Sequence, residues 1–224
     1  EKFSKIGYLP AIFFIFSRNG CDLAVKHCLR DNLRLTNQEE QNEIIEIVED
    51  RVKELAPSDL ELLDYPNWVK ALSLGFGAHH AGLIPIFKET VEELFQKGLL
   101  KLVFATETLA LGINMPARTV ILDRLSKWNG ETHTPITPGE YTQLTGRAGR
   151  RGIDIEGHGV ILWSPELDAS SAAGLANTRT YPLRSSFRPT YNMSINLVKQ
   201  MGKERARRSL GSSFAQFQAD RSVA

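Results

Sequence analysis

The side chains best suited to act on a ligand lie in a run that begins at position 143 and reads Gln-Leu-Thr-Gly-Arg-Ala-Gly-Arg-Arg-Gly. The spacing of Gln143, Arg147 and Arg150 is that of side chains on one side of a helical turn. An arginine suits phosphate because its planar guanidinium donates two parallel hydrogen bonds and stays charged. The run therefore predicts a site for nucleotide phosphates, where an arginine stabilises the charge that develops in phosphoryl transfer. Two glycines would let the backbone approach such a ligand closely: Gly146 and Gly149.

A second run begins at position 104 and reads Phe-Ala-Thr-Glu-Thr-Leu-Ala-Leu-Gly-Ile-Asn-Met-Pro. Its apolar start predicts a buried strand that delivers Thr106, Glu107 and Thr108 to the carboxyl edge of a sheet, where ligands of open α/β sheets bind. A threonine hydroxyl and the following amides can hold a nucleic-acid phosphate without reading base sequence. Two further residues lie where the loop could turn toward a nucleotide: Gly112 and Asn114.

Two weaker candidates follow other apolar runs. Adjacent histidines occur in Phe-Gly-Ala-His-His-Ala-Gly at 76–82, but neighbouring side chains diverge and no third ligand has suitable spacing, so we predict no metal site. A loop in which His80 and Gly82 touch a backbone phosphate is the favoured interpretation, and a packed loop is the alternative. Ser17 and Arg18 suggest a similar contact, against which stand a helix cap and an ordinary surface arginine.

One motif is missing from the 224 residues. There is no Gly-x-x-x-x-Gly-Lys-Ser/Thr loop of the kind that cradles nucleotide phosphates, and no acidic strand end suited to magnesium stands out. The sequence therefore offers arginines to a nucleotide but no site that would bind one alone.

Apolar runs alternate with helical patterns, which predicts an α/β fold with an open parallel sheet flanked by helices. Thr137, followed by Pro138 and then Glu140, has the spacing of a capping box and predicts a helix that runs to about 146–149. Ser58 and Glu61 have the same spacing. The composition changes after Ser164, and we place a domain boundary at 178, which divides the chain into 1–178 and 179–224.

Composition narrows the class of protein. The hydrophobic fraction of 42% supports a buried core. No stretch approaches the roughly eighteen apolar residues of a membrane-spanning helix, so no membrane partner is expected. The spacing of Cys21 and Cys28 on one predicted helix is poor for a disulfide, which favours a reduced, cytoplasmic protein. The net charge of +1 does not by itself indicate nucleic acid. However, the basic run at 199–208 could be either a solvated helix or a phosphate contact.

The segments 104–116, 143–152 and 79–83 resemble motifs V, VI and IVa of superfamily 2 helicases. They look most like the Ski2-like group of these helicases. Within that group they resemble the exosome-type RNA helicase branch, in a bacterial (actinobacterial) version. The likeness covers about 5–165. The stretches 183–193 and 213–218 are similar to the start of the winged-helix domain that follows the second RecA-like domain in this group.

The resemblance implies a RecA-like fold for 1–178 and a truncated winged helix for 179–224, with the first RecA-like domain outside this chain. It implies that Arg150 is the arginine finger, that Arg147 also contacts the γ-phosphate, and that Gln143 senses the nucleotide. ATP and Mg²⁺ would be bound mainly by the first RecA-like domain, and the chain would act as a monomer. The resemblance places Gly112 and Asn114 near the ribose of the nucleotide or at the domain interface. It implies that Thr106, His80 and Gly82 contact the backbone of a single strand, which is RNA in preference to DNA.

Two other functions stay open at this point. One is a DNA repair helicase of the same superfamily. The only argument against it is that the 104–116 run looks more like that of RNA-directed members than that of DNA-directed ones. The other is a nucleic-acid-binding module with a degenerate RecA fold, which the intact Gln143, Arg147 and Arg150 disfavour. The segment 124–136 lies where some relatives carry a strand-splitting hairpin, and it is too short here for a long one.

Overall fold

The computed structural model describes residues 7–110, 115–128, 131–165, 167–178, 185 and 187–222. The strands are β1 (Ala11–Phe14), β2 (Phe76–His79), β3 (Leu102–Ala105), β4 (Thr119–Leu122), β5 (Ser126–Trp128), β6 (His133–Pro135) and β7 (His158–Ile161). The helices are α1 (Arg18–Arg30), α2 (Gln38–Val52), α3 (Pro57–Leu62), α4 (Tyr65–Ser73), α5 (Pro85–Gln96), α6 (Pro138–Thr145), α7 (Ala169–Asn177), α8 (Tyr191–Met201), α9 (Lys203–Gly211) and α10 (Phe214–Ser222). A 3₁₀ turn covers Glu107–Ala110.

The strands of the described residues form one parallel sheet and one hairpin. The sheet has the order β2-β3-β1-β4-β7, with every neighbouring pair parallel. Strands β5 and β6 pair separately and antiparallel. The α/β class predicted from the alternation of patterns is confirmed, and a parallel sheet flanked by helices is the architecture of a RecA-like domain.

The central strands are continuously apolar because both faces of the sheet are covered. Ile12 and Phe14 belong to the larger core cluster on one face. Phe13, between them, packs on the opposite face against Phe104, with ring centroids 5.7 Å apart. This alternation leaves the strand ends as the places where polar side chains reach solvent.

Helices bury one stripe each against these two faces. Helix α1 covers the Phe13 face through Cys21, which is fully buried beside Ala78 and Phe104. Burial raises the pKa of the Cys21 thiol to about 12. Helices α2, α4 and α5 contribute to the larger cluster on the other face, through Ile44, Val48, Leu72, Val91 and Leu94.

The two capping-box patterns had different outcomes. Thr137 does cap α6: its hydroxyl accepts from the Glu140 N–H at 3.3 Å, and the Glu140 carboxylate accepts from the Thr137 N–H at 2.7 Å. The box at Ser58 was wrong. Helix α3 already begins at Pro57, so Ser58 lies inside its first turn, and Ala56 caps it without a side-chain hydrogen bond.

The chain divides into two compact units, 1–179 and 180–224. The second contains α8, α9 and α10, and Ala206 is buried within it. Several of its large apolar side chains are exposed: Tyr191, Ile195, Val198, Phe214 and Phe217. In the part of the chain that the structure describes, no helix is both long enough and apolar enough to cross a bilayer.

We expect Ile12→Ala to lower the free energy of unfolding by about 2–5 kcal/mol, because the truncation leaves a cavity at a fully buried position of the central strand. Leu62→Ala is the matched control. Leu62 is 86% exposed, so its loss should change stability by no more than about 0.5 kcal/mol. Urea denaturation of both variants measures the difference, and equal effects would contradict the placement of β1 in the core.

Candidate functional site

Three of the predicted contact segments meet at one edge of the sheet. Strands β2, β3 and β1 are neighbours in that order and run parallel, so the residues that follow them emerge side by side. These residues are His80 to Gly82 after β2, Thr106 to Thr108 after β3, and Ser17 with Arg18 after β1. The closeness is measurable at Gly82, where an added Cβ would lie 3.4 Å from Cδ of Arg18.

The segment after β1 combines a helix cap with an exposed cation. The Ser17 hydroxyl oxygen accepts a hydrogen bond from the Gly20 N–H at 3.1 Å and so caps α1. Arg18 is the first residue of that helix and is exposed. The helix cap that was the alternative interpretation of Ser17 is therefore present, and it fixes the backbone from which Arg18 extends.

His80 is held inside the protein. Its side chain is 4% exposed; Nδ1 accepts from the Gly82 N–H at 3.1 Å, and Nε2 lies 2.9 Å from Oδ1 of Asp22. An Nδ1 that accepts leaves the ring hydrogen on Nε2, which then donates to Asp22. With both nitrogens engaged, the ring holds the loop in place. The groups near this loop that are exposed to a ligand are therefore the backbone at 81–82 and the side chain of Arg18.

His79 is also buried, but at the end of the strand itself. Its Nε2 lies 2.7 Å from Oε1 of Glu92. Burial lowers the pKa of His79, and the hydrogen bond that its ring donates to the Glu92 carboxylate only partly opposes this. Within the described ranges, no three His, Cys, Asp or Glu side chains are grouped so that they could hold a metal ion.

The segment after β3 presents hydroxyls. Oγ1 of Thr106 lies 2.9 Å from Oγ1 of Thr108, and the Thr106 N–H donates to the His79 carbonyl at 3.3 Å. Thr106 is nearly buried, whereas Thr108 is exposed and Glu107 is half-buried. The exposed Thr108 hydroxyl therefore stands at the surface of this edge and is backed by Thr106.

Helix α6 brings Gln143 to the same segment. Gln143 and Glu107 both line a cavity of about 100 Å³, together with Phe16 and Lys127. Arg147 reaches the same region, because its Nη2 donates to the Ala110 carbonyl at 2.5 Å. The structure therefore joins the 104–110 and 143–147 segments, which lie far apart in the sequence. Gly112 and Asn114 lie outside the described residues.

Arg147 and Arg150 lie beyond helix α6 and so do not share a helix face, although the helix ends close to the expected 146–149. Helix α6 ends at Thr145, with Gly146 as its cap, because the backbone then turns to bond with the segment before β4. The Ala117 N–H donates to the Arg147 carbonyl at 2.9 Å, and the Gly149 N–H donates to the Ala117 carbonyl at 2.8 Å.

Two glycines allow this turn. Gly149 has φ +88°, a left-handed conformation that favours glycine. Gly157 lies against the turn so closely that an added Cβ would be 2.4 Å from the Ala148 carbonyl carbon and from the Gly149 nitrogen. The turn that carries Arg150 is thus held by hydrogen bonds to Ala117 and by close backbone contact with Gly157.

Arg150 lies in an ion pair beside an open cleft. Its Nε and Nη2 each lie 2.8 Å from an oxygen of Asp154, and this partner lowers the pKa of Asp154 to about 2. The cleft, of about 640 Å³, is also lined by Pro10, Phe95, Met115 and Pro116. Arg147 and Arg150 are therefore held by different groups, a backbone carbonyl and a carboxylate.

The sequence interpretation missed three residues that build this arrangement: Asp22, Asp154 and Gly157. Asp154 could have been found, because it stands four residues after Arg150 and so has the spacing of an ion pair. Asp22 and Gly157 act through distant partners, and no local pattern marks them.

Comparison with known proteins identifies the family to which the chain belongs. The family described as the helicase conserved C-terminal domain matches residues 24–152. A Mycobacterium tuberculosis protein named "Probable helicase HelY" is 64% identical over 222 residues, which is 99% of this chain and 24% of that protein.

Eukaryotic relatives are more distant. The "DExH-box ATP-dependent RNA helicase DExH15 chloroplastic" of Arabidopsis thaliana is 43% identical, over 96% of this chain and 18% of that protein. The "ATP-dependent RNA helicase mtr4" of Schizosaccharomyces pombe is 39% identical, over 87% of this chain and 17% of that protein. The chain belongs to the helicase conserved C-terminal domain family, and its motifs place it in the Ski2-like group of superfamily 2. It spans about a quarter or less of the length of these relatives.

We expect Gly157→Ala to destabilise the chain by about 1–3 kcal/mol, because its Cβ would overlap backbone atoms that no rotamer change can move. Gly174→Ala is the matched control. Gly174 lies in α7 with open space around it, so alanine should stabilise that helix by about 0.5–1 kcal/mol. Thermal unfolding of the two variants measures the contrast, and a neutral Gly157→Ala would show that the turn is not clamped.

The lowered pKa of His79 predicts a loss of stability in acid. The unfolded chain takes up a proton on this residue as the pH falls through its ordinary pKa of 6.5, whereas burial makes the folded imidazole harder to protonate. Stability should therefore fall as the pH drops from about 7.5 to 5.5, because the unfolded state binds the proton more readily than the folded state. Urea denaturation of wild type and His79→Gln at both pH values checks this, and an equal loss in both proteins would refute it.

Proposed function

We propose that this chain is the second RecA-like domain of an ATP-dependent helicase that couples ATP hydrolysis to translocation on RNA and its unwinding. The observation that carries the proposal is the joining of the 104–110 segment to the Gln143 and Arg147 segment, at a sheet edge where two further loops meet. Because these segments are in contact, the Gln143 and Arg147 segment can respond to a nucleotide while the 104–110 segment responds to a polynucleotide.

The nucleotide side of the site consists of the arginine turn. Arg150 acts as the arginine finger, Arg147 gives a second contact with the γ-phosphate, and Gln143 senses the nucleotide. Gly146 and Gly149 allow the close turn. ATP and Mg²⁺ are held mainly by the first RecA-like domain of the same protein, so the arginines complete a site that this chain does not build alone.

The nucleic-acid side consists of the three loops at the carboxyl edge. Arg18 offers a charge to a phosphate, Thr108 offers a hydroxyl, and the small, exposed residues at 81–82 let the strand backbone approach closely. Glu107, beside Gln143, connects this surface to the nucleotide side. These contacts address the strand backbone, which suits a motor that must move over any base sequence.

RNA is proposed over DNA because relatives that cover most of this chain carry RNA helicase in their names, in Arabidopsis thaliana and in Schizosaccharomyces pombe. A DNA repair helicase and a degenerate RecA-like module are the alternatives. The helical unit after 179 is proposed as the beginning of a winged helix, in a monomeric cytoplasmic protein.

The mechanism requires the two RecA-like domains to close. Closure brings Arg150 to the phosphate that leaves, where its charge stabilises the transition state, and opening after hydrolysis withdraws it. Each cycle shifts the grip of the Arg18, Gly82 and Thr108 surface relative to the grip of the other domain. Alternation of the two grips moves the protein along the strand.

In the full-length protein we expect Arg150→Ala to lower the kcat of ATP hydrolysis by about 10³-fold or more, the range of an arginine finger. Arg30→Ala is the matched control, since Arg30 is an exposed arginine in α1 that pairs with Asp31. The 224-residue chain alone should hydrolyse no ATP. Turnover by the isolated chain that survives Arg150→Ala would contradict the assignment.

The substrate is tested by titrating ATP hydrolysis with single-stranded RNA and single-stranded DNA of one base sequence. Stimulation by RNA alone supports the proposal and indicates contacts to 2′-hydroxyls. Equal or greater stimulation by DNA supports the repair helicase instead. No hydrolysis with either strand supports the degenerate module.

A further inference from the structure

The residues from Arg150 to Asp154 form a turn that closes on itself. The Asp154 N–H donates to the Arg150 carbonyl at 2.9 Å, and the Arg150 N–H donates to Oδ2 of Asp154 at the same distance. Gly152, with φ +79°, lets the chain reverse between them. The backbone of Arg150 is therefore tied to Asp154 in both directions, before its side chain is considered.

The side chain of Arg150 is tied to the same carboxylate. Nε donates to Oδ2 and Nη2 donates to Oδ1, both at 2.8 Å, which is the bidentate geometry that fixes the plane of a guanidinium. Asp154 thus receives three hydrogen bonds from one residue. It sets both the position of the Arg150 backbone and the direction of its side chain.

The two partners of this ion pair differ in exposure. The Asp154 side chain is 4% exposed, whereas that of Arg150 is 26% exposed and lines the open cleft. The hydrogen bonds from Arg150 hold the pKa of Asp154 at about 2, so the carboxylate stays charged at any pH used for an assay. The buried carboxylate backs the guanidinium, which faces the cleft.

Enough donors remain for a second anion. A guanidinium has five N–H groups, and the pair with Asp154 uses the one on Nε and one on Nη2. Both N–H groups of Nη1 and the other of Nη2 lie outside the pair. Arg150 can therefore bind phosphate oxygens without leaving Asp154.

We propose that Asp154 is a positioning residue for the ATPase reaction, which keeps its ion pair with Arg150 throughout the cycle and presents the Nη1 edge of the guanidinium to the γ-phosphate. This rests on the proposed role of Arg150 as the arginine finger. Asp154 itself touches neither nucleotide nor nucleic acid.

Energetics favour a lasting pair over one that breaks when nucleotide binds. Separation would break both hydrogen bonds of the bidentate pair, and such charge-assisted bonds are about twice as strong as neutral ones. The same pair reduces the rotamer freedom of the long arginine side chain before the phosphate arrives. Binding then has less entropy to lose, which is the benefit of a pre-positioned donor.

The first test observes Arg150 directly and does not require activity. In the 224-residue chain, labelled at arginine nitrogen, the Nε–H of Arg150 should exchange slowly with water because it is hydrogen bonded. Asp154→Asn should make this signal exchange at least about tenfold faster, since an amide offers one oxygen where the carboxylate offers two. Asp31→Asn, which alters the exposed pair with Arg30, is the matched control and should leave the Arg150 signal unchanged.

The second test uses kinetics of the full-length protein. Asp154→Asn should lower kcat by about 10²-fold, the effect of misplacing a group that acts in the transition state, with the KM for ATP changed by no more than about twofold. In an Arg150→Ala background, Asp154→Asn should cause no further loss. Asp31→Asn should leave kcat and KM unchanged.

The outcomes separate this inference from the function on which it rests. If Arg150→Ala leaves kcat unchanged, the proposed function fails. If Arg150→Ala lowers kcat but Asp154→Asn does not, only the positioning role fails. An equal loss from Asp154→Asn with and without Arg150 shows a general structural effect, and that result also overturns the positioning role.

If Asp154→Asn does not fold, the wild-type protein still decides the question. The Nε–H of Arg150 should stay protected when a non-hydrolysable ATP analogue and Mg²⁺ bind to the full-length protein. Loss of protection on binding would mean that the pair breaks in each cycle, which overturns the proposal.

Discussion

Parallel pairing of β1 with a neighbour on each side is the constraint from which the rest of the domain follows. Ala11 is level with Leu102 on one side and with Thr119 on the other, so the strands begin together and, being equally short, end together. Their following loops must then leave the sheet at one level. The hydrogen-bond register of the sheet therefore places the three loops side by side, whatever their own sequences.

The arginine turn obeys a different constraint, because it is held by backbone. Ala117 bonds to it through both its N–H and its carbonyl, and the backbone of Gly157 lies directly against it. The two arginine side chains have different partners: Arg147 donates to the Ala110 carbonyl, and Arg150 donates to the Asp154 carboxylate. One short turn can therefore carry two arginines whose positions are set independently of each other.

The sequence predicted what depends on local pattern. The apolar runs predicted the parallel sheet, because a strand that is buried on both faces is apolar at every position. The Thr137 box was correct, because Pro138 directly follows that cap. The Ser58 box was wrong, because the helix already begins at Pro57 and its cap is Ala56, two residues before Ser58.

Tertiary contacts were the part that sequence pattern could not supply. Helical spacing put Arg147 and Arg150 on one face, but Ala117, some thirty residues away in the chain, competes for that backbone and ends the helix. His80 was interpreted as a phosphate contact, and nothing in the sequence around it indicates that its ring is buried and bonded to Asp22 of α1. Burial and partner choice are decided by residues distant in sequence, and a single sequence does not reveal them.

The contact of Gly157 with the arginine turn also has a mechanical meaning. Two backbones that touch have no side chain between them to deform, so the contact is stiff in compression. Strand β7 begins at the next residue, His158, and lies at the edge of the sheet. Because no side chain separates the two backbones, rotamer changes at this contact cannot absorb a displacement of the edge strand relative to the turn.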